Sequence, residues 1–270
     1  MKNPLNTQAK KPSNASTLAL NPTTTPGAEL VRLAGEAYHL EIPPGSKGHY
    51  RLAQLDDYTR RTRDQFPWHP PVTLSLEARV SSAAFPGTWG FGLWNDPFSL
   101  SLGFGGGRRR LPALPNAAWF FFASPQNYLS FRDDLPAQGF LAQTFRSRQI
   151  PTPLLAFGLL GAPALAWPRL ARKIRPVFKH FIREAAFAPL QDVYQWHAYH
   201  LEWKPETVAF WINGERVFKT SISPLGRLGL VLWIDNQYAA FPPGGSLSYG
   251  MLESPEAAWL EIKSLSLTTP

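Results

Sequence analysis

The sequence predicts an all-β sandwich interrupted by one helical insert, and three observations carry that expectation. Residues 72–81, VTLSLEARVS, alternate Val72, Leu74 and Leu76 with Thr73, Ser75 and Glu77, the period of a strand with one buried face. The Asn213-Gly214 pair sits between two apolar runs, a strong short-range hairpin signal. Only one stretch, beginning near Pro168, carries helical periodicity, so a parallel sheet built from alternating strands and helices is not expected.

Taken in order, residues 1–27 are rich in Asn, Thr, Pro and Lys and read as a mobile leader. From Glu29 onward ELVRLAG, AYHLEI and HYRLAQLDDY read as strands divided by Gly and Pro turns. TWGFGLWND (88–96) and NAAWFFFAS (116–124) follow, with a Gly-, Arg- and Pro-rich loop between them. YHLEWKPETVAFWINGERVFKT (199–220) reads as successive strands turning at Lys204–Glu206 and at Asn213-Gly214. LGLVLWIDN (228–236) and WLEIKSLSLT (259–268) complete the β content. The expected organisation is one sandwich domain over 28–270, with an insert at about 137–190.

Length and composition bound the function. A chain of 270 residues, 44% of them apolar, suits one large domain with a real core. The absence of Cys excludes disulfides, thiol catalysis and Cys-ligated metals. No apolar core follows the N-terminal charges, so the sequence predicts a cytoplasmic location, membrane-peripheral if the insert touches a bilayer. Of the net charge of +8, the segment 137–190 supplies +7, from eight basic side chains against Glu184.

Residues 149–168 of that segment hold no charged side chain. PRLARKIRPVFKHFIREAAF then places Leu170, Ile174, Val177, Phe178, Phe181 and Ile182 on one helical face. Arg169, Arg172, Lys173, Lys179 and Arg183 fall on the other, and Pro176 is expected to bend or interrupt the helix. The insert reads either as a flap whose apolar face packs on the sandwich or as a basic amphipathic element for an anionic membrane surface. Nucleic acid is not an expected partner, because the basic face lacks interleaved aromatics.

The region 196–220 resembles a hairpin of glycoside hydrolase family 16 and related concanavalin A-like sandwiches. The matching elements are Tyr199, Trp203, the Lys204-Pro205 turn, and Val208 through Asn213-Gly214. LSLEARVS (74–81), PGTWGFGLWND (86–96) and WLEIKSLSL (259–267) are similar to other strands of that family. The resemblance implies a jelly-roll fold with a concave cleft and a carbohydrate partner. In the hydrolases one strand carries Glu-x-Asp-x-Glu, since alternate strand residues share a face and bring carboxylates together. Here the corresponding strand is Ala117-Ala118-Trp119-Phe120-Phe121-Phe122-Ala123-Ser124, and that motif occurs nowhere in the chain. A protein of this shape without the hydrolytic pair is expected to bind a glycan or an apolar small molecule.

Trp89, Trp94, Trp119, Phe121 and Trp233 lie on strands expected to line the concave face, where aromatic rings stack sugars or wall apolar pockets, or else belong to the core. Asn236 and Asp235 end an apolar strand at the expected cleft rim. Asp96, Asp133 and Asp235 are the candidate acid–base groups for an enzymatic alternative, with Asp96 equally suited to an Asn-Asp-Pro turn. His197 and His200, at the start of a strand, point to opposite faces and make a poor metal site. Gly103, Gly105, Gly106 and Gly107 before Arg108–Arg110 read as a flexible loop or an anion nest. No metal or cofactor is expected.

Overall fold

The computed structural model describes residues 18–82, 84–97, 110–111, 113–148 and 167–269. In chain order the strands are β1 (Asn21–Thr24), β2 (Glu29–Leu33), β3 (Ala37–Ile42), β4 (Leu52–Asp56), β5 (Val72–Val80), β6 (Thr88–Trp94), β7 (Ala117–Ala123) and β8 (Gly139–Ser147). The helix α1 (Pro168–Phe181) follows. Then come β9 (Ile182–Phe187), β10 (His197–Trp203), β11 (Val208–Ile212), β12 (Glu215–Thr220), β13 (Gly229–Asp235), β14 (Gln237–Ala240), β15 (Ser248–Met251) and β16 (Ala258–Thr268).

Two seven-stranded sheets form the sandwich, and every adjacent pair of strands in them is antiparallel. The first runs β1-β4-β13-β6-β7-β8-β9 and the second β12-β11-β10-β5-β16-β3-β2. The all-β expectation is met, with α1 as the single α-helix among the described residues. β5 shows the alternation read from its sequence, with Val72, Leu74, Leu76, Ala78 and Val80 buried between the sheets. The β11–β12 hairpin turns at Asn213 and Gly214, both with positive φ (52° and 84°), as a two-residue turn matched to strand twist requires.

Several boundaries differ from expectation. Asn21–Thr24, inside the supposed leader, pair with β4 as an edge strand, and the Asn21 side chain bonds Asp56. The insert is shorter than 137–190, because Gly139–Ser147 and Ile182–Phe187 are strands of the first sheet. α1 runs through Pro176, which lacks only one N–H, and stops at Phe181 instead of continuing to Phe187. The uncharged run, through residue 166, and the Gly103–Arg109 loop lie outside the described residues.

The core between the sheets takes Trp89, Phe91, Leu93, Phe120, Phe122, Leu230 and Leu232 from the first sheet, against β5, β10 and β16 of the second. A second apolar cluster covers the opposite face of the first sheet. That face is the one expected to form the cleft.

Candidate functional site

The pairing registers lay the cleft-side face out as a lattice. One row crosses Asp235, Thr88, Ala123 and Gly139. The next holds Trp233, Gly90, Phe121 and Leu141. A third holds Val231, Gly92, Trp119, Gln143 and Ala186. A fourth holds Gly229, Trp94, Ala117, Phe145 and Glu184. Thus Trp94, Trp119, Phe121 and Trp233 share one face, as expected. Trp89 does not: five positions from Trp94 is an odd step on a strand, and its ring is 1% exposed between Phe122 and Phe140 in the inter-sheet core.

Glycines make the floor on which these rings lie. A Cβ at Gly90 would stand 2.7 Å from the Trp233 ring, one at Gly92 2.5 Å from Trp119, and one at Gly229 2.3 Å from the Tyr58 ring. With the floor open, the rings pack together. Trp94 stacks on Trp233 at 6.3 Å, Trp119 meets Trp233 at 5.5 Å, and Phe121 lies 5.3 Å from Trp119. Each indole N–H is satisfied, Trp94 by Tyr58 OH (2.7 Å), Trp119 by Gln143 Oε1 (3.2 Å) and Trp233 by Thr88 Oγ1 (3.0 Å). Trp119 and Trp233 are only 9% exposed, with Tyr50, Leu114, Leu129, Phe131 and Phe178 packed around the cluster. The face is a closed aromatic layer.

Asp235 adjoins the layer through Thr88, whose hydroxyl donates to Oδ1 at 2.7 Å; Tyr50 OH donates to Oδ2 at 3.4 Å. Burial pushes its carboxyl up to about 7, against the lowering effect of these hydrogen bonds. Asp96 instead belongs to a structural knot. It is paired with buried Arg110 (2.6 Å), which also bonds the carbonyls of Tyr58 and Arg61. Asp96 takes a left-handed backbone (φ 46°), as its turn reading implied. Asp133 is half exposed, and ion pairs to Lys179 and Arg175 hold its carboxyl below the usual range. Asn236, expected at the ligand, is buried and committed to backbone: Oδ1 accepts from Arg51 N–H, and Nδ2 donates to the carbonyls of His49 and Leu252.

α1 docks beside the layer by a face that keeps Leu170, Ile174 and Phe178 of the expected apolar stripe but is shifted toward Ala171 and Arg175, leaving Val177 and Phe181 out. Its buried residues are Ala171 and Arg175, with Leu170, Ile174 and Phe178 half buried and Val177 and Phe181 exposed. The Arg175 guanidinium donates to the carbonyls of Ser130, Arg132 and Phe241 and lies over the rings of Tyr128 and Phe241. These bonds place Arg175 within the docked face, next to Ile174 and Phe178 of the apolar stripe. Arg172 and Lys173 are solvated, and Lys179 reaches Asp133.

The groove between α1, the 131–134 loop and the free edge of β9 has a volume of about 430 Å³ and includes Phe131, Lys179, Arg183 and Glu184 in its lining. Glu184 was not singled out as a site residue, nor was Gln143. Both lay in a segment read as an insert, which concealed their place on the sheet.

His197 bonds Asn213 and Gln191, while His200 bonds Ser75 Oγ at 2.9 Å. Neither joins the other at a common site. Among the described residues, no helix is long and apolar enough to cross a membrane.

No family model matches the chain, and no curated protein matches it. Among solved structures it is similar to a legume lectin-like domain from Entamoeba histolytica, at 9% identity and a TM-score of 0.45, covering 93% of this chain and 90% of that one. The alginate lyase AlyC3 in complex with dimannuronate gives 12% identity and 0.43, covering 87% and 74%. A sialidase gives 9% identity and 0.44, covering 93% of this chain; the chain spans 17% of that protein's length.

Proposed function

We propose that this chain is a non-hydrolytic ligand-binding sandwich, with a carbohydrate as its ligand on the aromatic face of the first sheet. The carrying observation is what β7 presents there: Ala117, Trp119, Phe121 and Ala123, with no carboxylate. On the strands of that face the described carboxylates are Asp56, Asp235 and Glu184, while Asp133 and Asp134 line the groove beside Glu184, Asp133 being ion-paired with Arg175 and Lys179. Strand spacing and rise put Asp56 ~14 Å and Glu184 ~28 Å from Asp235. Glycoside hydrolysis needs its pair about 5–9.5 Å apart. Asp56 is also spent on the N–H groups of Tyr58 and Thr59.

Incubation with a panel of soluble polysaccharides, followed by reducing-end assay and calorimetry, tests the reading. Binding without bond cleavage is expected. Release of new reducing ends overturns the non-hydrolytic part, and absence of binding overturns the carbohydrate part.

Two other readings each have an observation in their favour. The closure of the ring layer favours an apolar ligand over a glycan, and calorimetry against hydroxyl-free hydrocarbons separates the two. Trp167, Val177 and Phe181 are exposed on or next to α1, near Arg172 and Lys173, which favours contact with an anionic membrane surface. Flotation with phosphatidylserine liposomes that is unchanged when these three are replaced by Ser removes that reading. The enzymatic alternative is best supported at Asp235, whose carboxyl burial raises to about 7.

A further inference from the structure

We propose that Gln143 and Glu184 are the polar anchor of the ligand site and that the group they hold is a hydroxyl of a sugar ring. This deepens the carbohydrate reading above and rests on it. The two residues project from the same face of neighbouring strands. Gln143 pairs with Ala186 and Phe145 with Glu184, so the two are diagonal neighbours, within reach of each other's long side chains.

Both are at least nine-tenths buried, Gln143 at 1% exposure and Glu184 at 8%, and each has one polar atom spent and one unpartnered. The Trp119 indole N–H can only donate, and it donates to Gln143 Oε1; this fixes the amide with Nε2 as a donor lacking a partner. Glu184 Oε1 accepts from Ser130 Oγ (2.6 Å) and from Arg132 N–H (2.7 Å), while Oε2 is an acceptor lacking a partner. Leaving such groups buried and unpaired costs about 1–3 kcal/mol each. A hydroxyl accepts and donates at once, and so answers the amide and the carboxylate together. Neither a carboxylate nor an ammonium group does both.

The Trp119 ring beside Gln143 is packed by Trp94, Phe121, Phe145 and Trp233 and gives this corner a rigid aromatic backing. Glu184 also lines the groove beside α1, whose ≈ 430 Å³ falls within the range of about 300–1,000 Å³ for small-molecule sites; Gln143 lies behind it, outside the lining.

The test uses the full chain with D-glucose, D-galactose and D-mannose as probes, read by ligand-observed NMR and Trp fluorescence. Glu184→Gln keeps shape and the Oε1 bonds but turns the unpartnered acceptor into a donor. Gln143→Met keeps volume and removes the donor together with the acceptor of the Trp119 N–H, so its thermal midpoint is measured alongside binding. Each variant is expected to weaken hexose binding tenfold or more, while Glu184→Gln keeps the far-UV spectrum and thermal midpoint of the parent. If the parent binds a hexose and both variants bind it equally well, the anchor is overturned while the carbohydrate reading stands. A crystal grown with saturating hexose that shows only a water between Nε2 and Oε2 also overturns the anchor. If the parent binds no carbohydrate in either this panel or the polysaccharide panel, the carbohydrate reading itself falls.

Discussion

Burial of Asp235 at the end of β13 surrounds its carboxyl with the hydroxyls of Thr88 and Tyr50 and the N–H of Gln237, and its pKa climbs to about 7. The unfolded chain holds the same group near the ordinary 3.8. Between those values the folded state keeps a proton that the unfolded state has lost. Stability from this group is therefore full below about pH 4 and is lost as pH rises to about 7, by roughly 4 kcal/mol at most. Asp57, raised to about 6 by burial, acts in the same direction over a narrower window. Denaturant midpoints from pH 4 to 8 should show Asp235→Asn gaining on the parent as pH rises; a constant difference across the range sinks the assignment. Which face each residue takes was only partly legible. Trp94, Trp119, Phe121 and Trp233 lie together on one face of the first sheet, since alternate residues of a strand share a face. Trp89 was misplaced because Trp and Phe fill both faces of β6 and β7, so polarity offered no alternation to follow.

α1 was legible as a helix but not in its docking. Periodicity marks where apolar residues cluster, and the docked face takes only part of that stripe, because three backbone carbonyls and two rings draw Arg175 into it. β9 was hidden for a related reason: IREAAF suits a helix by composition, and only its ladder with β8 makes it a strand. Arg175→Ala is expected to destabilise the fold by about 3 kcal/mol, since it strands buried carbonyls. Lys173→Ala, on the solvated side, should change stability by less than about 0.5 kcal/mol. Urea unfolding of the two variants decides it, and equal effects would show that Arg175 is not the pin. The Asn213-Gly214 hairpin and β5 were read correctly because each is specified by local chemistry alone.

On the scale of the molecule, the first sheet is covered twice, by the second sheet on one side and by the aromatic layer on the other. Its central strands β6, β7 and β13 are therefore apolar along almost their whole length, which a sequence shows as continuous runs instead of alternation. The second sheet keeps one wet face, and its strands β5, β10 and β16 show the alternation that made the sandwich predictable. The fold was thus readable from its half-solvated sheet, and the site was obscured by its fully covered one. Double coverage also sets a hierarchy in time. Amides of β6, β7 and β13 open only with global unfolding and should be the slowest in the chain to exchange with deuterium. Those of α1 and of the edge strands β1 and β9, held by fewer neighbours, should exchange through small local openings. Peptide-resolved exchange that instead ranks β2 or β12 slowest contradicts this order. A ligand arriving at the β9 rim therefore meets the part of the sheet that opens most readily, while the aromatic floor beneath it stays fixed on the timescale of binding.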